Sequence, residues 1–146
     1  MVKSYWDIRN DKILKDKGVY VISTDKLALE NFYKVGYSGS SLKNRINQIN
    51  EILSPALNEK LNIYAVIIPK PGKSGVKQNI RAKELNQIEK TIHQYYKQKG
   101  CLSVIPHTKK YSEWLYTDIE KLIKVMNLII DDETYDYKIN FKVIKL

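Results

Sequence analysis

Residues 31–45, NFYKVGYSGSSLKNR, place several side chains that could act on a phosphate within one short stretch. Lys34 and Tyr37 lie on either side of Gly36, and Arg45 follows a glycine-serine bend. A guanidinium can bind two phosphate oxygens through its planar fork, and an amine or a phenol can carry a proton when its surroundings shift its pKa. The stretch is therefore the first candidate for a site that binds or transforms a phosphate.

The charge of the whole chain favours a polyanionic partner. The 146 residues carry 25 Lys and Arg against 16 Asp and Glu, a net charge of +9. Such a surface favours nucleic acid first and an anionic membrane second, although charge alone does not identify a specific partner. The length is typical of one domain, so we treat residues 1–146 as a single unit.

Cysteine usage and hydropathy bear on the cellular compartment. The one cysteine, Cys101, excludes an intramolecular disulfide and a zinc site built from several cysteines. No apolar signal core opens the sequence, and no apolar run reaches the length of a membrane span. We therefore expect an intracellular protein, in the cytoplasm, nucleoid or nucleus, that is neither secreted nor bound to a membrane.

Local patterns predict the elements that must position these side chains. Alternating or continuous apolar runs predict strands over residues 18–23, 32–38, 61–69 and 135–146. Apolar residues at helical spacing predict helices over residues 41–53, 79–99 and 113–130, with Pro55 stopping the first and Gly100 ending the second. The order β-β-α-β-α-α-β predicts an α+β fold, a small and mostly antiparallel sheet flanked by helices.

Helical geometry allows two charged residues to reach a cleft beside the core. Arg45 lies next to the apolar stripe that contains Leu42 and Ile46, and Glu89 lies next to the stripe that contains Ile88 and Ile92. Boundary positions of this kind suit residues that point into a cleft. They also suit ordinary solvated charges, so the geometry permits a site without requiring one.

Two basic loops could hold the phosphate backbone of DNA. Flexible lysines can position a duplex without reading its bases, and such binding weakens steeply with salt. The predicted DNA-binding lysines of these loops are Lys70, Lys73, Lys77, Lys109 and Lys110.

Several motifs occur in an order typical of one nuclease superfamily. GVY at residues 18–20 is followed by KVG at 34–36, by Arg45, and by IEKTIHQYY at 88–96 and SEWLY at 112–116. This series resembles the GIY-YIG endonuclease superfamily, in particular a phage and viral branch whose second motif reads KIG. The resemblance covers about residues 18–116 and leaves the helix and strand of 117–146 as a C-terminal extension.

The resemblance implies a metal-dependent DNA endonuclease that hydrolyses phosphodiester bonds and nicks one strand per active site. The implied catalytic residues are Tyr20, Lys34, Arg45 and Glu89. Tyr20 or Lys34 would handle the proton of the attacking water, Arg45 would hold the phosphate, and Glu89 would bind Mg²⁺ or Mn²⁺. The implied supporting residues are Tyr37, His93 and Glu113. A double-strand break would need a homodimer or two binding events.

Each residue also has a purely structural interpretation. Tyr20 could be an ordinary strand aromatic, Lys34 a solvated edge-strand charge, and Tyr37 a packing residue on the face opposite Lys34. Glu113 could start a helix, with Trp114 in the core.

The second motif has Lys34 where most of the superfamily has tyrosine. An alternative function is therefore a catalytically inactive nucleic-acid-binding module of the same fold. A basic protein-interaction domain is a third.

Overall fold

The computed structural model describes residues 14–69, 78–104, 113–132, 137–140 and 144–145. Its strands are β1 (Gly18–Ser23), β2 (Phe32–Ser38), β3 (Asn62–Pro69), β4 (Leu102–Val104), β5 (Glu113–Tyr116), β6 (Tyr137–Asn140) and β7 (Ile144–Lys145). Its helices are α1 (Asp25–Leu29), α2 (Leu42–Leu57), α3 (Gln78–Gln98) and α4 (Ile119–Asp132).

The strands form one antiparallel sheet in the order β4-β5-β2-β1-β3-β6, and β7 also pairs with β3. The predicted α+β class, with a small and mostly antiparallel sheet flanked by helices, is therefore confirmed. β1 lies at the centre between β2 and β3, and all six of its residues are buried. That burial explains why its sequence, GVYVIS, is apolar throughout apart from its last residue.

Helices cover the sheet on both faces, which we call the α2 face and the α3/α4 face. On the α3/α4 face, Val19 and Val21 of β1 join a core cluster with Leu85, Ile88 and Ile92 of α3. On the α2 face, alternate residues of the same strand join a second cluster with α2 and β3. The main members of this second cluster are Tyr20, Ile22, Leu42, Ile46, Ile49, Leu53, Val66 and Trp114.

The predicted helix over residues 113–130 is wrong at its start. Residues 113–116 form β5, which pairs with both β2 and β4, and α4 begins only at Ile119. Asp118 takes the role of the first capping residue, since its Oδ1 accepts a hydrogen bond from the backbone N–H of Lys121 at 2.8 Å. Glu113 therefore does not start a helix, and its strand position reflects pairing with distant segments rather than local periodicity.

Pro55 does not stop the first long helix where the sequence predicts. α2 continues through it to Leu57, and Asn58 ends the helix in the left-handed conformation with φ 56°. Proline removes one backbone donor, and near the end of a helix few turns remain to be disrupted. By contrast the end of α3 agrees with prediction, because Gly100 has φ 69° and Cys101 N–H bonds to the carbonyl of Tyr96 at 2.9 Å.

Two other segments differ in detail from prediction. The predicted loop after Gly100 contains the short strand β4, and the predicted terminal strand consists of β6 and β7, both paired with β3. Within the described residues, no helix combines the length and apolar character needed to cross a membrane.

Candidate active site

β2 sends different side chains to the two faces of the sheet. Gly36 pairs with Tyr20 and Lys34 pairs with Ile22, and both of these partners belong to the cluster on the α2 face. Directly opposed residues of an antiparallel pair share a face. Tyr20 and Lys34, two of the predicted catalytic residues, therefore lie on the same face of adjacent strands.

The Tyr20 ring leans over β2 at Gly36. A Cβ atom at position 36 would lie 2.2 Å from the Tyr20 hydroxyl oxygen and 2.5 Å from the ring carbon that bears it. Real Cβ atoms do not approach other atoms so closely, so the phenol occupies the space that any larger residue would need. The KVG glycine thus makes room for Tyr20, which is itself only 3% exposed.

Lys34 is buried rather than solvated. It is 8% exposed, which rules out the interpretation of Lys34 as an ordinary edge-strand charge. The register of β2 with β5, which pairs Tyr33 with Leu115, places Trp114 opposite Lys34 when continued by one residue. Trp114 is fully buried in the cluster on the α2 face, as its core interpretation predicts.

Glu89 and His93 of α3 meet β2 from the other layer. The Nε2 atom of His93 lies 2.8 Å from the backbone carbonyl oxygen of Val35 and 3.2 Å from Oε1 of Glu89. Since a carbonyl only accepts, Nε2 carries the hydrogen in this contact. The two side chains are 17% and 21% exposed, so the pair is partly shielded from water but still accessible.

The contact with His93 falls where β5 stops pairing with β2. In the described part of the chain, the β2–β5 ladder consists of Phe32 with Tyr116 and Tyr33 with Leu115. Two residues beyond Tyr33 along β2, His93 binds the Val35 carbonyl. The structure therefore brings Lys34, the Glu89–His93 pair and the Tyr20–Gly36 contact to consecutive positions of one strand.

Arg45 is positioned by the bend between β2 and α2. Ser38 Oγ donates to the carbonyl of Ser41 at 3.0 Å, and the Ser41 side chain caps α2 by accepting from Asn44 N–H at 3.3 Å. These bonds tie the last residue of β2 to the start of α2. Arg45 follows in the first turn, partly exposed, beside Ile46, which is buried on the α2 face. Arg45 therefore belongs to the same layer as Tyr20 and Lys34.

The remaining predicted residues are less closely associated with this cluster. Tyr37 packs against the core of the α3/α4 face, which agrees with its structural interpretation. Glu113 lies in β5, opposite Val104 of β4. The predicted DNA-binding lysines, Lys70, Lys73, Lys77, Lys109 and Lys110, lie outside the described residues.

Sequence reasoning missed two parts of this arrangement. The Val35 carbonyl anchors His93, and a backbone group leaves no signal in the residue type. Ser38 fixes the bend through its bond to the Ser41 carbonyl, and its signal was a serine at the end of the strand, just before the turn.

Two other tyrosines belong to the core of the α3/α4 face, and both have raised pKa values. Burial, with a smaller contribution from neighbouring Tyr64, raises the pKa of Tyr33 to about 12. Burial likewise raises the pKa of Tyr96 above its ordinary value, against the hydrogen bond with Thr117. Both phenols therefore stay protonated at neutral pH, and both belong to the core of the α3/α4 face.

The side chains of the candidate site suit a cation that takes most of its ligands from water and substrate. Among the described residues there is no group of three or more His, Cys, Asp or Glu side chains that could hold a metal ion. Mg²⁺ is often bound by one or two carboxylates together with water and substrate phosphate. The partly exposed Glu89 carboxylate fits that minimal pattern, whereas His93 is engaged with Val35 through Nε2.

Comparison with protein families finds a match to the T5orf172 domain over residues 17–130, well over half of the chain. This domain is found in phage and bacterial nuclease-like proteins and is related to endonucleases of the GIY-YIG and HNH types. The match indicates a role in nuclease activity or DNA binding. Comparison with curated proteins and with solved structures gave no match.

Proposed function

We propose a specific nuclease function for this chain, which belongs to the T5orf172 domain family. The protein is a metal-dependent DNA endonuclease of the GIY-YIG type, which hydrolyses phosphodiester bonds and nicks one strand per active site. The active site lies at the second half of β2, and its catalytic residues are Tyr20, Lys34, Arg45 and Glu89.

One observation carries this proposal. Three consecutive residues of β2 each meet a different chemical group of the candidate site. Lys34 contributes its own buried amine, the carbonyl of Val35 binds His93 beside Glu89, and Gly36 accommodates the phenol of Tyr20. Hydrolysis of a phosphodiester needs a base, a cation and a carboxylate. Here β1, β2 and α3 bring such groups together at one strand.

The proton of the attacking water goes to Tyr20 or Lys34. Tyr20 Oη leans over Gly36 on the same face of the sheet as Lys34, so the proton can go either to a Tyr20 phenolate that the Lys34 ammonium stabilises or to a neutral Lys34 amine. The water oxygen bonds to phosphorus as the bond from phosphorus to the leaving sugar oxygen breaks. The buried position of Lys34 keeps competing water away from this proton transfer.

Arg45 and Glu89 handle the charge of the phosphate. The Arg45 guanidinium binds two phosphate oxygens as negative charge builds on them. Glu89 would hold Mg²⁺ or Mn²⁺, and the bound ion would supply a Lewis acid for the phosphate and for the leaving oxygen. His93 is a positioning residue, because its bond to the Val35 carbonyl fixes a ring that lies 3.2 Å from Glu89 Oε1.

The partner of this protein is DNA, and its location is intracellular. The net charge of +9 supports binding to the phosphate backbone, with the five loop lysines as the proposed contacts. Since one site cuts one strand, a double-strand break requires a homodimer or two separate binding events.

The test is plasmid nicking. Native protein and Glu89→Gln are incubated with supercoiled plasmid and Mg²⁺ or Mn²⁺, and conversion to the relaxed form is followed on gels. We expect nicking by the native protein that Glu89→Gln lowers by about 10²-fold or more, because the metal-binding charge is lost. Glu51→Gln is the matched control, since Glu51 is an exposed carboxylate of α2 and should leave nicking unchanged.

Other outcomes separate the alternatives. Equal nicking by native protein and Glu89→Gln contradicts the assigned site and indicates a contaminant. Salt-sensitive DNA binding without nicking favours the inactive binding module, for which the presence of Lys34 in place of the usual tyrosine is the supporting observation.

A further inference from the structure

A second concave site lies between the C-terminal end of α3 and the start of α4. This cavity of about 520 Å³ is formed by α3, the end of β5 and α4. Its size is within the ordinary range of small-molecule sites. None of the predicted catalytic residues lines it. The cavity is therefore spatially distinct from the candidate site at β2.

The wall of this cavity is apolar and partly aromatic. Tyr95 is 38% exposed and Leu128 is 63% exposed, which is high for large apolar side chains, and Val125 lies beside them in the lining. The Tyr95 ring is held in place, since it packs edge-on against Tyr96 at a centroid distance of 5.2 Å. Tyr96 is itself buried, with its hydroxyl 3.1 Å from Thr117 Oγ1. A rigid aromatic ring next to exposed aliphatic groups suits a flat apolar ligand.

The rim of the cavity is positively charged. Among the described residues, Lys99, Lys121 and Lys124 line it, against the carboxylate of Asp118. That carboxylate is already engaged in capping α4 and lies 3.8 Å from the Lys121 ammonium. The Lys99 ammonium lies over one face of the Tyr95 ring, 4.8 Å from its centroid, so a cation is already in contact with the aromatic group. The ligand that fits this combination is a flat ring attached to an anion.

We infer that this cavity binds an unpaired nucleotide of a DNA strand, with the base among Tyr95, Val125 and Leu128 and the phosphate at the lysine rim. Aromatic side chains combined with basic groups are the usual means of binding single-stranded nucleic acid without reading its sequence. The inference rests on the proposed function in one respect, that the partner is DNA.

The position of the cavity along α3 suits a strand that also reaches Glu89. Lys99 lies ten residues after Glu89, just beyond the last residue of α3. At about 1.5 Å per residue, the two positions are roughly 15 Å apart along the helix axis. Successive phosphates of one strand are about 3.4 Å apart along a duplex, so roughly four nucleotides span that distance. The cavity would therefore hold a base that has left the duplex a few nucleotides from the cleaved bond.

The experiment measures binding without cleavage. A short fluorescent single-stranded DNA probe and a matched probe with abasic sites are titrated with native protein in EDTA, and anisotropy is recorded. We expect the base-bearing probe to bind about tenfold more tightly than the abasic one, and Tyr95→Leu to abolish that difference. Tyr95→Phe should retain it, because the ring is kept.

The lysine rim provides a second measurement. Lys124→Gln should lower the salt dependence of binding by about 0.7 in the logarithmic slope, the amount expected for one phosphate contact on a single strand. The control is Lys60→Gln, an exposed lysine between α2 and β3, which should leave the slope unchanged. If Tyr95→Leu unfolds, this comparison decides the question alone.

Two results would overturn the assignment: equal binding of both probes by native protein, or identical salt slopes for Lys124→Gln and Lys60→Gln. A protein that shows the expected pattern without nicking plasmid keeps the nucleotide site and loses the nuclease function. A protein that nicks plasmid but treats both probes alike loses the nucleotide site only.

Discussion

The two faces of β2 carry opposite kinds of side chain. Toward α3 and α4 the strand presents Tyr33, Val35 and Tyr37, all of which belong to or pack against a continuous core. Toward α2, after the apolar Phe32, it presents Lys34, Gly36 and Ser38, which provide a charged side chain, no side chain and a polar side chain respectively. Both faces are covered by helices, so the difference cannot be explained by exposure to solvent.

This contrast separates the core residues of β2 from Lys34 and Gly36, which serve the proposed chemistry on the α2 face, while Glu89 reaches the same strand from α3. A sheet covered on both sides normally has apolar residues on both sides. Burying Lys34 and leaving position 36 without a side chain departs from that rule within one strand. Departures of this kind are expected where function requires them, because each one costs stability.

The largest expected effect comes from Lys34→Met. Methionine keeps the length of the lysine stem and removes the amine, so nicking should fall about 10³-fold, or about 4 kcal/mol in activation free energy. The free energy of unfolding should stay within about 1 kcal/mol of native, since an apolar side chain suits the site. Plasmid nicking and urea denaturation measure the two quantities. Full activity with a large loss of stability would reverse our interpretation of this face.

Ile88→Ala tests the opposite face at the residue next to Glu89. Ile88 is fully buried in the core of the α3/α4 face, so the truncation should lower the free energy of unfolding by about 3 kcal/mol. Nicking per folded molecule should stay within about twofold of native at low temperature, since Ile88 has no chemical role. If Ile88→Ala kept native stability but lost nicking, Ile88 would serve the chemistry rather than the core. The division of roles between Ile88 and Glu89 would then be wrong.

Alkaline pH should weaken the α3/α4 face through Tyr33. Burial raises the folded-state pKa of Tyr33 to about 12, above the ordinary value of 10. The folded state therefore retains the proton that the unfolded chain loses, so this contribution is complete below about pH 10 and disappears as pH rises through about 12. The loss amounts to between about 2 and 3 kcal/mol. Urea denaturation across this range should show a shallower decline for Tyr33→Phe, and parallel declines would contradict the assignment.

Gly36→Ala should lower stability less than Ile88→Ala or the ionisation of Tyr33. The added methyl collides with the Tyr20 phenol, which should lower the free energy of unfolding by about 1.5 kcal/mol. Combining it with Tyr20→Leu should cost less than the sum of the two single changes, because the smaller side chain relieves the collision. Thermal or urea denaturation of the four proteins gives the coupling, and strict additivity would show that the two positions are not in contact.

The fold was largely predictable because most elements are marked by local patterns. The apolar runs of β1, β2 and β3 and the stripes of α2 and α3 were found within a few residues of their true bounds, except at Pro55. β5 was not found, because WLY is too short to distinguish a strand from the start of a helix. Its conformation depends on pairing with β2 and β4, which only the folded chain reveals.

The candidate site was predictable in its residue types but not in its spatial relations. Motif order pointed to Tyr20, Lys34 and Glu89, and helical periodicity predicted that Glu89 borders the core. The sequence could not predict that Glu89 meets β2 through His93 and a backbone carbonyl. Residue types do not determine which partner a histidine binds or in which direction a carbonyl points. The burial of Lys34 likewise depends on segments far away in the sequence.

The pairing of β6 and β7 with β3 has a consequence for aggregation. β3, NIYAVIIP, is uncharged and rich in residues that favour strands, and such a segment recruits other chains when its edge is open. β1 covers one edge, and the two short C-terminal strands cover the other. Both strands lie beyond the family match, which ends at residue 130. A chain truncated at residue 130 would keep every proposed catalytic residue. It would also expose the edge of β3, a strand that readily pairs with other chains.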